Sequence, residues 1–224
     1  MRTSVTLSPR LHPTVRPTRI LLAAACALAI AGCASNKGEP TTQFDFGPAA
    51  PINAVASTSA ASATAASPIG AVVIPDVTGS SALDNERIYY RLSYADALQA
   101  RTYANSRWSA TPLQLLTQRL KTRIGQAGAK VLSETDASSG IPILRVDVDD
   151  FVHDFSGATQ SAGVVALRAS VFKGHALIDQ KTFVRRTDAV SADAAGGARA
   201  LAGSTDAVAG DIAAWLASLD LAHR

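Results

Sequence analysis

The chain has 224 residues, with 21 Lys and Arg against 18 Asp and Glu and only two cysteines. Four of the arginines (Arg2, Arg10, Arg16 and Arg19) precede Cys33 and no acid does, so from Cys33 onward 17 basic residues face 18 acidic ones, a net of −1. The basic excess belongs to the first segment and is no nucleic-acid footprint. No basic stripe with interleaved aromatics follows it.

The first segment runs into twelve apolar residues, Ile20 to Ala31. A bilayer-spanning helix needs about 20. A basic region, a short apolar core and small residues are instead the parts of a secretory signal. Its end, Ile30-Ala31-Gly32-Cys33, resembles the lipobox of bacterial lipoproteins. That resemblance implies a signal peptide over residues 1–32 and lipidation of Cys33, which becomes the first residue of the mature chain. The competing reading is a plain signal cut nearby, with Cys33 an idle thiol. Under the lipoprotein reading Cys26 leaves with the signal and Cys33 is acylated, so neither a disulfide nor thiol catalysis remains. A buried methylene contributes about 0.8 kcal/mol, and three acyl chains hold where one binds only reversibly. Ala34 rather than Asp follows the cysteine. By resemblance to Gram-negative sorting signals, this favours the outer membrane, with the domain on its periplasmic face.

Residues 33–68 carry the acylated cysteine and a stretch rich in Ala, Ser, Thr and Pro, with too few large apolar groups to fold. They read as a flexible tether with a reach of about 30–35 Å. One island interrupts it, Gln43-Phe44-Asp45-Phe46-Gly47-Pro48. Its two aromatics point the same way on a strand. The island is either a short strand docking on the domain or an unstructured sticky patch.

Residues 69–224 form a single domain of ordinary size without internal repeats. Ala71–Ile74 reads as a strand before Pro75. Arg87–Leu92 alternates and pairs with Gln99–Tyr103 as a hairpin. Thr111-Pro112-Leu113-Gln114 is a helix start: Thr111 caps, Pro112 suits the first helical position and Gln114 completes a capping box. Leu113, Leu116, Leu120 and Ile124 follow as one apolar face. Arg119, Lys121 and Arg123 fall off that line, on an expected solvated face. Gly125 and Gly128 offer stops. In Ile143–Asp149, Leu144, Val146 and Val148 face one way and Arg145, Asp147 and Asp149 the other. The doublet Asp149-Asp150 before Phe151 predicts a bulge. Val165, Leu167, Ala169 and Val171 face in, with Arg168 and Ser170 out, and Leu177–Val184 is a further strand. Leu201, Val208, Ile212, Trp215 and Leu219 make the stripe of a last helix, whose start is blurred by Gly196, Gly197 and Gly203. The expected fold is α+β, a two-layer domain with a mainly antiparallel sheet and two amphipathic helices.

Little in this pattern carries chemistry. His153 lies near Asp147, Asp149, Asp150 and Asp154, which invites a metal hypothesis. No second histidine is near, however, and a solvated strand edge is the favoured reading. There is no Gly-x-Ser-x-Gly elbow and no Walker motif. The chain is expected to be no enzyme and to need no cofactor.

The stretch Glu86–Leu120 resembles the core signature of the ABC-type transport auxiliary lipoproteins, which include the paraquat-inducible protein C group. Its matching positions are Tyr90-Arg91, Tyr103, Arg107-Trp108 and the Pro112-led helix. The Phe44-Asp45-Phe46-Gly47-Pro48 island is similar to the family's Tyr-Asp-Leu-Gly-Pro, with Phe for the usual Tyr at 44. Trp215-Leu216 also fits. The resemblance implies an accessory role beside an ABC ATPase, a permease and an MCE-domain protein of the MlaD type, moving lipids between envelope membranes. No nucleic-acid partner is expected from the charge balance, and a homo-oligomer is left open. The alternative is an envelope assembly or scaffolding lipoprotein bound to an outer-membrane protein or peptidoglycan. Tyr103, Arg107 and Trp108 have two readings. In one, Trp108 caps the apolar layer and the arginines pair across strands. In the other, the three form a partner-binding surface, since Tyr, Arg and Trp are favoured anchors.

Overall fold

The computed structural model describes residues 40–51, 69–136, 139–219 and 221. The signal segment, Cys33 and residues 52–68 lie outside the described residues. In chain order the elements are β1 (Thr42–Phe44), β2 (Ala71–Val73), β3 (Thr78–Gly79), a 3-10 turn (Ser81–Leu83), β4 (Arg87–Arg91), β5 (Ala100–Trp108) and α1 (Pro112–Gln126). They continue with β6 (Lys130–Leu132), β7 (Ile143–Phe155), β8 (Ser161–Lys173), β9 (Ala176–Asp188) and α2 (Ala194–Ser218).

Strand β7 is the hub of a mixed sheet. On one side it pairs antiparallel with β8, and β8 with β9. On the other side its length is shared by three short partners, all parallel: β2 at Ile143, β3 at Asp147 and Val148, and β4 at His153 and Asp154. The sheet extends outward from β4 through antiparallel β5 to parallel β1, and from β2 to parallel β6. Both helices pack on one face, giving the two-layer α+β arrangement, and one continuous core runs between them and the sheet.

Local chemistry explains the helices. The Thr111 hydroxyl accepts from the Gln114 N–H at 3.4 Å while Gln114 accepts from the Thr111 N–H at 3.3 Å, a reciprocal cap. Leu116, Leu120 and Ile124 are fully buried below it. Asp193 caps α2 by accepting from the Gly196 N–H at 2.7 Å. Two of the glycines that blur this helix in the sequence, Gly197 and Gly203, lie against His153 and Thr187 of the sheet. A Cβ on Gly163 of β8 would sit 2.3 Å from the Leu201 backbone nitrogen, so α2 touches the strand itself. Ser204 fixes the contact by donating to the Gly163 carbonyl at 2.7 Å.

The predicted bulge is present: the β7–β8 register slips between Val148 and Asp150. Before it Leu144, Val146 and Val148 face the helices. After it Phe151, His153 and Phe155 do. Without the extra residue the inward set would be Asp150, Val152 and Asp154.

Two expectations change. Arg119 is not solvated but 5% exposed, because residues 44–51 lie across α1 and cover it. Of the two readings of the aromatic island the docked one holds: Gln43 and Phe44 lie in β1 of the sheet and the rest continues across α1, so a segment assigned to the tether packs on the domain.

Candidate partner-binding surface

The three residues of the suspected surface separate. Trp108 is a core residue, 1% exposed. Its ring meets Phe46 edge-on at 5.5 Å and Phe151 at 5.8 Å. It offers no anchor to a partner, because the docked residues 44–46 close over it. The reading of Trp108 as a surface residue is corrected accordingly.

Tyr103 and Arg107 do converge. Both line a groove of about 680 Å³ beside β5, together with Asp84, Glu86, Arg87 and Ser106. Arg107 is exposed and lies 4.0 Å from Glu86, a loose surface pair. Tyr103 is half-buried and belongs to both worlds. Its ring borders the groove and tilts against Tyr90, with ring centres 4.7 Å apart. Its hydroxyl shares a 2.9 Å hydrogen bond with Nδ1 of His153, whose direction follows the imidazole tautomer. Strand β1 pairs only with Ser106–Trp108, so Tyr103 stands where β5 has left its strand neighbour on that side.

His153 has no solvent contact. It is pressed against α2, where a Cβ on Gly197 would meet Nδ1 at 2.3 Å. Burial pushes its imidazole down to about 4, although Asp193 and Asp154 pull the other way. Burial likewise raises the Tyr103 phenol well above its ordinary range. The buried His153 thus holds Tyr103, which lines the groove, from behind.

The acids near His153 do not join it. Asp147 lies on the open face of the sheet, accepting from the Thr78 hydroxyl at 2.8 Å and facing Arg168 at 3.7 Å. Asp150 pairs with Arg91 at 3.0 Å. Asp154 takes Arg186 at 2.7 Å and the Ser93 hydroxyl. Burial pushes the Asp154 carboxyl up, but these hydrogen bonds and the charges of Arg186 and Arg91 outweigh it and hold it below the ordinary range. The bulge separates His153 from these acids. Among the described residues no group of three His, Cys, Asp or Glu is arranged to hold a metal ion. The acidic run on β7 is a ladder of surface ion pairs.

A second feature escaped the sequence reading. Residues 44–51 form a strap clamped by α1. The Ser109 N–H donates to the Phe44 carbonyl at 2.8 Å. Asp45 accepts from the Gly47 N–H at 2.7 Å, closing a turn in which Gly47 has φ +62°, a left-handed conformation that favours glycine. Arg119 donates to the carbonyls of Phe46 and, at 2.7 Å, Gly47, and its guanidinium stands 5.8 Å from the Phe46 ring centre. Arg123 donates to the Ala50 carbonyl at 2.5 Å. Asp206 of α2 braces both arginines, at 3.6 Å from Arg119 and 2.6 Å from Arg123. The hydrogen bond from Arg123 to Asp206 raises the arginine further above its ordinary value. Each residue of the Phe-Asp-Phe-Gly island thus has a job: two apolar anchors, a turn acceptor and the glycine the turn requires. The available signal was the pairing of that island with arginines four apart on α1.

Solved structures share the fold. A Xanthomonas campestris protein of family DUF330 superposes with a TM-score of 0.61 at 17% identity, over 70% of this chain and 89% of the other. A further uncharacterized protein gives 0.60 at 15% identity, over 78% of this chain and 97% of that one. No curated protein matches. The family model described as the ABC-type transport auxiliary lipoprotein component matches residues 52–213. The chain belongs to that family of ABC transport auxiliary components.

Proposed function

We propose that this chain is the lipid-anchored accessory subunit of an ABC transporter that works with an MCE-domain protein of the MlaD type to move lipids between envelope membranes. Acylated Cys33 holds it in the outer membrane, facing the periplasm. Its contribution is to bind and position. ATP hydrolysis and translocation belong to the ATPase and permease.

The observation that carries this reading is the groove beside β5. An exposed arginine, a half-buried tyrosine ring and the acids Asp84 and Glu86 line it. Such a mixture suits a protein surface of alternating charge. Next to Arg107 in the chain, Trp108 is locked in the core against Phe46 and Phe151, which stiffens that end of β5. Little ordering is then lost on binding. Family membership supplies the transporter context.

The test is purification of the native lipoprotein from crosslinked envelopes, with its companions identified by mass spectrometry. The account expects an MCE-domain protein together with an ABC ATPase and a permease. Recovery of only outer-membrane assembly proteins or peptidoglycan would replace it with a scaffolding role.

A further inference from the structure

Strand direction gives the domain two unlike ends. β4 and β7 run parallel, with Tyr90 opposite His153 and Arg91 opposite Asp154, so they finish together. β5 and β8, antiparallel to them, start at that end, and β9 finishes there. Backbone hydrogen bonds tie its loops side by side. The Tyr94 N–H donates to the Phe155 carbonyl at 3.3 Å and the Ala189 N–H to the Ser161 carbonyl at 2.9 Å. The β4–β5 turn is closed on itself: Ala95 and Asp96 each donate to the Leu92 carbonyl at 2.9 Å, and Leu98 donates to the Asp96 carboxylate at 2.9 Å.

This end carries three of the five exposed large apolar side chains found among the described residues: Leu98 at 96% exposure, Val190 at 82% and Tyr94 at 52%. One exposed leucine needs no explanation. Two on a turn held by its own hydrogen bonds, with a third on the loop after β9 at the same end of the sheet, form a surface with a use.

The chain enters β1 from the same side. β1 is parallel to β5, with Thr42 opposite Ser106 and Phe44 opposite Trp108. Because β5 starts at this end, the chain enters β1 from it. Eight Cα steps separate Cys33 from Thr41 and span at most about 29 Å. Ala100 to Ser106 of β5 covers roughly 20 Å. The link is long enough to bring Cys33 level with these loops while the strap stays clamped. The opposite end, at the β8–β9 turn, lies a β8 length of about 40 Å from the tip, and it is the direction of β1, which the chain enters from the tip side, that favours the tip.

We infer that Tyr94, Leu98 and Val190 form a lipid-contacting tip that rests in the interface of the membrane holding Cys33; this inference rests on the lipoprotein reading above. A tyrosine ring suits the headgroup level and the aliphatic side chains the layer beneath. Asp96, Asp188 and Arg101 give the tip mixed charge, so the contact is apolar and does not depend on anionic lipid. The short link makes a weak patch sufficient, because it holds the tip at high local concentration over the bilayer. The clamped strap thus limits how far the tip can stand from the anchor, and the β5 groove stays in the periplasm.

The test uses the full lipidated chain in vesicles of phosphatidylethanolamine and phosphatidylglycerol that contain a bilayer-embedded nitroxide quencher. A fluorophore is placed at Ala97→Cys, which keeps all three apolar residues, or at His175→Cys in the far turn. Quenching severalfold stronger at 97 than at 175 is the expected result. Equal quenching, or shielding of 97 only when partner proteins are added, would overturn the tip. Flotation with the vesicles and the mass of the acylated N-terminal peptide are read on the same samples. A chain without acyl mass that fails to float sinks the lipoprotein reading. A chain that floats with an unquenched dye at 97 sinks the tip alone.

Discussion

His153 reaches the core through a single inserted residue. Its neighbours in the sequence are acids, and the metal reading followed from that company. Only the slip between Val148 and Asp150 turns it away from them and onto Tyr103 and α2. The bulge was legible from the Asp149-Asp150 doublet, whereas its consequence for His153 needed the helix layer to be in place. Burial has a thermodynamic effect whose sign is fixed. The folded imidazole sits near 4 against 6.5 when free, so the unfolded chain takes up its proton first as pH falls. The contribution is fully present above about 6.5, declines through the interval and is exhausted near 4, a loss of roughly 3 kcal/mol. His153→Phe is expected to flatten this part of the pH profile in denaturant titrations at pH 7 and pH 5. An unchanged slope would mean that the imidazole titrates freely. Asp154 and Asp193, both held low by hydrogen bonds, add their losses at still lower pH.

Helix α1 was the most legible element: cap, proline and apolar stripe all stand in the sequence and in the fold. Arg119 on the same helix was not, because its exposure is decided by residues more than seventy positions away. A local pattern marks the side of the helix away from the core as solvated. It carries no information on a strap that crosses that side. Arg119→Ala removes two charge-assisted hydrogen bonds from Phe46 and Gly47 and is expected to cost about 2–4 kcal/mol. Amide exchange should quicken at Ser109, whose N–H is bonded to the strap, while the amides of β7 and β8 keep their order of protection. Uniform loss across the domain would show that the strap is no separate unit. The α2–β8 contact gives a sharper contrast. Gly163→Val places carbon against the backbone of α2 and is expected to prevent folding or cost more than about 3 kcal/mol. Gly210 faces open space, and Gly210→Ala is expected to raise stability by about 0.5–1 kcal/mol through helix propensity. Thermal melts of the two variants check both signs.

At the scale of the molecule, the sequence carried the class of fold and its helix stripes but not the strand order. The three-residue strands β1, β2 and β6 owe their place to parallel pairings across long stretches of chain, which alternation cannot encode. The same limit hid the position of the strap. Composition alone makes residues 33–68 one tether. With residues 42–51 clamped, about eight residues link the proposed anchor to the body, and residues 52–68 connect strap and β2. Two consequences follow for the whole protein. Cys33→Ser is expected to release the domain from membranes into the soluble periplasmic fraction without changing its melting temperature, a result read by fractionation and calorimetry. Arg107→Glu, a reversal on an exposed and loosely paired side chain, is expected to leave stability within about 0.5 kcal/mol and to weaken partner capture.

The most direct measurement is site-specific photocrosslinking in living cells, with the reactive group at position 107 in the groove and, for comparison, at position 182 on the open face of β9. The account predicts that the groove position captures an MCE-domain protein of the transporter and that the β9 position does not. Capture of an outer-membrane assembly protein from position 107, or the same capture from both positions, would contradict it.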